Sequence, residues 1–120
     1  MSDAPAAKAR KWKATHKFAK IGPRKARLVV DLIRNADCND ALDLLRFTNK
    51  RACVFVDRVL RSAMANADEA EADMTRLKIT EAKVDGGPYM RRWRPKDRGR
   101  AHPIAKRTSH LIVRVAEGKA

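Results

Sequence analysis

Residues 86–110 read Gly-Gly-Pro-Tyr-Met-Arg-Arg-Trp-Arg-Pro-Lys-Asp-Arg-Gly-Arg-Ala-His-Pro-Ile-Ala-Lys-Arg-Thr-Ser-His. Eight of these are Lys or Arg (Arg91, Arg92, Arg94, Lys96, Arg98, Arg100, Lys106 and Arg107), and Asp97 is the one acid. The stretch has too few apolar residues to build a core. It is flanked by two strand-like runs, Leu77–Val84 and Ser109–Val115. A basic segment anchored at both ends reads as an arm reaching into a polyanion; a free tail would have one anchor. Twenty residues from Gly86 to Ala105, doubled back, reach roughly 30 Å at ~3.3 Å per residue.

The rest of the chain is organised around that arm. Its 120 residues suffice for one domain with one modest core. Twenty-eight basic residues against 14 acidic leave a net charge of +14, which suits a polyanion-binding chain. No run approaches the ~18 apolar residues of a membrane helix, and the N-terminus lacks a signal-peptide stretch. A cytosolic protein is expected. Cys38 and Cys53 are read as two reduced, packed thiols, with no metal site. From Lys8 to Arg27 there are nine cations and no acid, whereas Asp31–Asp85 holds nine cations and eleven acids. Two cationic flanks therefore bracket a near-neutral body.

Residues 1–11 are expected to be a flexible basic terminus, and 12–117 a single domain with the arm at 86–105. Trp12, Ala14, His16 and Phe18 alternate with Lys13, Thr15 and Lys17, which predicts a first strand over 12–21. Gly22-Pro23 breaks it and opens a helix, since proline suits a first turn. Ala26, Val29, Val30 and Ile33 form its apolar stripe, widened by Leu28 and Leu32. Asn39 is the expected cap of a short helix over Asp40–Leu45, and Thr48 of a long one from Asn49 to about Ala67. The long helix carries Ala52, Phe55, Val56, Val59, Leu60, Ala63 and Ala67 as its stripe. The acids of Asp68–Asp73 oppose the helix dipole and predict a solvated loop. Leu77 and Ile79 alternate, then the phase slips to Ala82 and Val84, which predicts a bulge. Leu111, Val113 and Val115 alternate cleanly. The fold class is α+β: a three-stranded antiparallel sheet, three helices on one face and a long protruding β-hairpin.

The arm's chemistry suits nucleic acid. Arginine supplies forked donors for phosphate and flat surfaces for bases. Tyr89 and Trp93 lie among the arginines as stacking residues would, or pack on their own hairpin. Gly99 permits tight bending. Pro95 and Pro103 predict an irregular outer arm. The candidate contacts there are Arg91, Arg92, Trp93, Arg94, Lys96, Arg98, Gly99, Arg100 and His102. In the first flank they are Lys13, His16, Lys17, Lys20, Arg24, Lys25 and Arg27. Gly22-Pro23-Arg24-Lys25 also aims a helix N-terminus at phosphate. His16, His102 and His110 are far apart, and none pairs with a nearby acid in sequence. No nucleophile-elbow, zinc-protease or P-loop motif occurs, so no catalytic residue, metal or cofactor is expected.

Five elements occur in the order of one family: Gly22-Pro23-Arg24-Lys25-Ala26-Arg27-Leu28-Val29; Ser62-Ala63-Met64-Ala65-Asn66-Ala67; Val84-Asp85-Gly86-Gly87-Pro88; Arg94-Pro95 through Arg98-Gly99-Arg100-Ala101; and Lys106-Arg107-Thr108-Ser109-His110. From Trp12 to Glu117 the chain resembles the bacterial large-subunit ribosomal protein L-twenty-two family. The resemblance implies a non-catalytic structural component of the large ribosomal subunit, with large-subunit ribosomal RNA and neighbouring ribosomal proteins as partners. It implies a body near the mouth of the exit tunnel and a hairpin, Met90 to Ala101 at its inner end, lining the tunnel that the nascent peptide follows. It adds Lys106, Arg107, Thr108, Ser109 and His110 to the expected RNA contacts. The chain departs from the family's usual residues at Trp93, Asp97 and His102-Pro103. A cytoplasmic, ribosome-bound protein with no membrane and no homo-oligomer is expected.

A basic DNA-binding or chromatin-like protein is the alternative. It would need a basic recognition helix, and the third helix offers only Lys50, Arg51, Arg58 and Arg61. An RNA-acting enzyme would need an acid–base or metal set. If both flanks neutralise phosphates, RNA affinity is predicted to fall steeply with salt. About six to eight contacts give a log–log slope with a magnitude of several units. A salt titration on an RNA fragment checks this; a magnitude near one would leave most of these cations idle.

Overall fold

The computed structural model of the chain describes residues 11–95, 99 and 101–117. Lys96, Asp97, Arg98, Arg100 and residues 1–10 of the expected flexible terminus lie outside the described residues. The elements run β1 (Lys11–Ala19), α1 (Pro23–Ile33), α2 (Cys38–Phe47), α3 (Ala52–Glu69), β2 (Leu77–Gly86), β3 (Met90–Pro95), β4 (Ala101–Lys106) and β5 (Ser109–Glu117). A three-stranded antiparallel sheet has the order β1-β5-β2, and β3 pairs with β4 in a separate two-stranded ribbon. The last strand is thus the middle one. Its Leu111, Val113 and Val115 bury against the helices, as their alternation predicts.

The core lies between this sheet and the three helices. Ala26, Val29, Val30 and Ile33 of α1, Ala41 and Leu45 of α2, and Val56, Val59, Leu60 and Ala63 of α3 are its helical side. The predicted bulge lies between Ile79 and Glu81, where the β2–β5 register shifts. It returns Ala82 and Val84 to the buried face. β2 is an edge strand, and its outer rim is covered. Arg34 donates to the Ala82 carbonyl at 2.9 Å and Arg27 to that of Val84 at 3.2 Å. The Ile79 N–H donates to the Ala36 carbonyl at 2.9 Å. These contacts occupy groups that would otherwise template another strand.

Several expectations change in the structure. Lys11 already belongs to β1, which ends at Ala19 rather than at residue 21. The β1–β5 register shifts between His16 and Ala19, and Phe18 takes a positive φ of 59°. That bulge turns Ala19 inward and leaves Phe18 58% exposed, against its predicted place on the inner face. Leu28 and Leu32 stay exposed, because α1 packs on β2 and α3 through a stripe only as wide as 26-29-30-33. α2 starts at Cys38 with Asp37 at its cap position, so Asn39 lies inside the helix. Thr48 closes α2 instead of opening α3. Its hydroxyl and N–H both donate to the Leu44 carbonyl, at 2.7 and 3.1 Å. α3 begins at Ala52, not Asn49.

α3 also runs through Asp68 and Glu69 despite the dipole. Packing decides its end. Glu71 adopts φ 60°, its N–H donates to Asp68 O at 2.9 Å, and Ala72 N–H donates to Ala67 O at 3.0 Å. This Schellman closure brings the buried Ala67 and Ala72 together. The ribbon likewise runs through Pro95 and Pro103, which pair with Ala101 and Trp93. Antiparallel pairs alternate between hydrogen-bonded and open. The pairs Trp93–Pro103 and Pro95–Ala101 lie two residues apart and so fall in the same class; a proline is accommodated where that class is the open one, because a missing N–H then removes nothing.

The Cα radius of gyration is 18.1 Å and the extents are 71 × 33 × 22 Å. A compact chain of this length has a radius of about 14 Å. The elongation fits a ribbon that pairs only with itself.

Cys38 and Cys53 are free, buried thiols. Burial, and secondarily the Asp37 carboxylate, pushes the Cys38 thiol from its ordinary 9.0 up to about 11. The folded chain therefore holds this proton to higher pH than the unfolded chain. The stability it contributes is complete below about pH 9 and is lost as pH rises through about 11. Urea midpoints measured across that range are expected to fall further for the native chain than for Cys38→Ala; equal falls would refute the assignment.

Candidate nucleic-acid interface

The β1–α1 corner is built from Lys20, Ile21, Gly22 and Pro23. Ile21 and Ala19 are buried, which fixes the backbone and turns Lys20 outward. α1 then opens at Gly22 with no side-chain cap, with proline in its first turn and with no acid there. Arg24 and Lys25 are exposed on that turn. α3 opens beside it, also without a side-chain cap or an acid in its first turn. Arg51 joins the two by donating to the Lys20 carbonyl at 3.2 Å, with its guanidinium 5.7 Å from the Phe55 ring centre. Two uncapped helix starts carry partial positive charge at one place.

The ribbon root forms the third wall. A groove of about 910 Å³ is lined by Lys20, Ile21, Gly22, Lys25, Leu28, Lys50, Arg51, Ala52, Met90, Arg92, Lys106, Arg107 and Thr108. Seven of these are cations and none is acidic. A second depression, about 470 Å³, lies on the other side of the α1 start and adds Arg24, Arg27 and Ala105 to Lys25 and Arg107. Segments some 80 residues apart in sequence thus pool their charge at one corner. Cations held this close without acids repel one another, so the corner suits a polyanion that relieves the repulsion.

Three consecutive residues lock the ribbon root to this corner. The buried Thr108 hydroxyl donates to the Pro88 carbonyl, and the Gly87 N–H donates to the Thr108 carbonyl at 2.9 Å. The fully buried Ser109 hydroxyl donates to the Ile21 carbonyl. His110 Nδ1 accepts the Phe18 N–H at 3.1 Å, and the two rings meet edge to face at 5.0 Å. That bond requires the tautomer with Nδ1 unprotonated. Outgoing leg, returning leg and β1 therefore share one latch.

The sequence-derived candidates divide accordingly. Lys20, Lys25, Arg92, Lys106 and Arg107 gather at the groove, and Arg24 and Arg27 at its neighbour. Arg27 also holds the β2 carbonyl. Lys13 and Lys17 lie exposed on β1. His16 faces the helices, its ring 5.9 Å from Phe55. Thr108 and Ser109 spend their hydroxyls, and His110 its Nδ1, on the latch. Arg91 and Trp93 are exposed on the ribbon face opposite Arg92, Trp93 at 62%. Tyr89 is 57% exposed, so both aromatics present much of their surface to solvent. Arg94 and His102 occupy paired backbone positions in the β3–β4 register. Gly99 is exposed in a turn with φ +71°, the left-handed backbone that favours glycine. Sequence reasoning left out Lys50 and Arg51; two cations just ahead of a helix start were the available signal.

A family model described as ribosomal protein L22p/L17e matches residues 14–116. The chain belongs to the ribosomal protein L22p/L17e family. The match runs from within β1 through the ribbon to β5. The large ribosomal subunit protein uL22 of Sorangium cellulosum (strain So ce56) is 45% identical over 109 residues, covering 89% of this chain and 97% of that relative. The L22p/L17e family is one of structural ribosomal proteins.

The latch has a test that does not involve RNA. A Cβ at Gly87 would lie 2.6 Å from Thr108 Oγ1 and 3.3 Å from His110 Cε1, so Gly87→Ala forces the latch open. Ser109→Ala leaves the Ile21 carbonyl without its buried donor. Each is expected to destabilise the chain by about 1–3 kcal/mol in urea unfolding. Unchanged midpoints in both would mean that the latch holds nothing.

Proposed function

We propose that this chain, a structural protein of the large ribosomal subunit, seats ribosomal RNA phosphates at the β1–α1 corner and extends its ribbon along the nascent-peptide exit tunnel. Ribosomal RNA and neighbouring ribosomal proteins are its partners, and the bacterial cytoplasm is its place of work. Residues 11–117 act as one domain with 86–105 as its arm. The chain works as a single copy and without catalysis. The observation that carries this reading is the acid-free groove, in which seven cations from four separate segments converge beside two uncapped helix starts. The elongated shape supports the arm's role, because a compact body alone would not reach far from its RNA seat. A DNA-binding protein is not favoured: the cations converge at a corner rather than along one face of a recognition helix.

Anchoring and tunnel lining separate by mutation. Replacing Lys20, Lys25, Lys50 and Arg107 together by alanine is expected to lower incorporation into purified large subunits several-fold. All four are exposed, so the unfolding midpoint should stay close to that of the native chain. Replacing Arg91 and Trp93 by alanine is expected to leave incorporation unchanged and to alter nascent-chain stalling. Normal assembly of the first variant, with failed assembly of the second, would overturn this division.

A further inference from the structure

The groove has a property that phosphate binding alone does not use. Its floor is apolar: Ile21 and Ala52 at the base, with Leu28 and Met90 open to solvent at 55% and 37%. Regular duplex RNA presents phosphates and sugars on its outside. Laid across the rim, it would neutralise the cations and leave Leu28 and Met90 uncovered. A nucleobase swung out of its stack brings a flat, largely apolar face together with the flanking phosphates. The rim also offers the guanidinium planes of Arg51, Arg92 and Arg107, which stack on bases. At about 910 Å³ the space is of the size that takes small organic ligands.

We infer that this groove seats an unstacked nucleobase, so that the chain selects an RNA strand interrupted by a bulged or unpaired nucleotide over continuous duplex. The inference rests on the RNA-binding reading of the same corner and specifies the RNA it prefers. The base lies against Leu28 and Met90, and the rim cations hold the phosphates on either side. Leu28 sits on α1 and Met90 at the start of β3, so the base also bridges the body to the ribbon root. Two readings of the apolar floor compete: a packing defect, or a seat for an acidic protein segment. Both differ from this one in what they bind.

The test compares three RNAs with the full chain at several salt concentrations: a duplex of about 20 base pairs, the same duplex with one bulged adenosine, and the same bulge made abasic. The bulged RNA is expected to bind about tenfold more tightly than the duplex, and the abasic bulge to lose that gain. Leu28→Ala combined with Met90→Ala is expected to remove most of the preference while leaving duplex affinity and the salt slope in place. Both side chains are substantially exposed, so the unfolding midpoint should change little. Equal binding of the bulged and abasic RNAs, or a preference undiminished in the double variant, overturns the inference. So does a poly-glutamate competitor that displaces the bulged RNA as well as unlabelled RNA does. In the first two outcomes, salt-dependent duplex binding would leave the RNA reading standing; no salt-dependent binding to any RNA would remove that reading as well.

Discussion

The buried hydroxyl of Ser109, donating to the Ile21 carbonyl, is the contact on which the functional arrangement turns. Ile21 ends the corner from which α1 starts, and Ser109 is the first residue of the central strand. Thr108 on one side ties the two legs of the ribbon together, and His110 on the other holds the β1 bulge. A ribbon with no core cannot set its own direction. Its direction is set at its root, by three adjacent residues whose partners lie about 20 and 90 positions away. The open side of Gly87 lets the legs approach closely enough for this to happen.

The latch also explains why cations distant in sequence converge. Bringing Lys106 and Arg107 against Lys20, Lys25 and Lys50 is electrostatically unfavourable in the free chain. The buried core beneath, with Val29, Leu60 and Leu111 fully covered, holds the corner together against that repulsion. Folding thus stores an unneutralised charge cluster. An RNA strand that neutralises it gains affinity without having to organise the site first.

Positive charge has two uses in this chain. Arg27 and Arg34 close the exposed rim of β2, and Arg114 pairs with Glu81 at 3.0 Å on the outer face of the sheet. These arginines serve the fold. Lys20, Lys25, Lys50 and Arg107 have open space before them. Composition cannot separate the two groups, since Arg24 and Arg27 sit one turn apart in one helix, yet only Arg27 reaches the strand.

Sequence alone determined the class of fold, the bulge in β2, the buried stripe of α1, the basic arm between two strands and the family. Each of these rests on local periodicity or on motifs whose spacing is written in the chain. Tertiary structure decided what local pattern does not encode. Thr48 closed α2 because the Leu44 carbonyl needed a donor. Acids stayed in α3 because Ala67 and Ala72 packed together. Pro95 and Pro103 joined the ribbon because the β3–β4 register places both in the same class of cross-strand pair. The motif of Thr108, Ser109 and His110 suggests RNA contacts, but it does not show that both hydroxyls and the His110 Nδ1 are engaged inside the protein. The groove, with Lys50, Arg51 and its apolar floor, exists only once four separate segments meet, because long-range packing, not sequence spacing, sets which charges become neighbours.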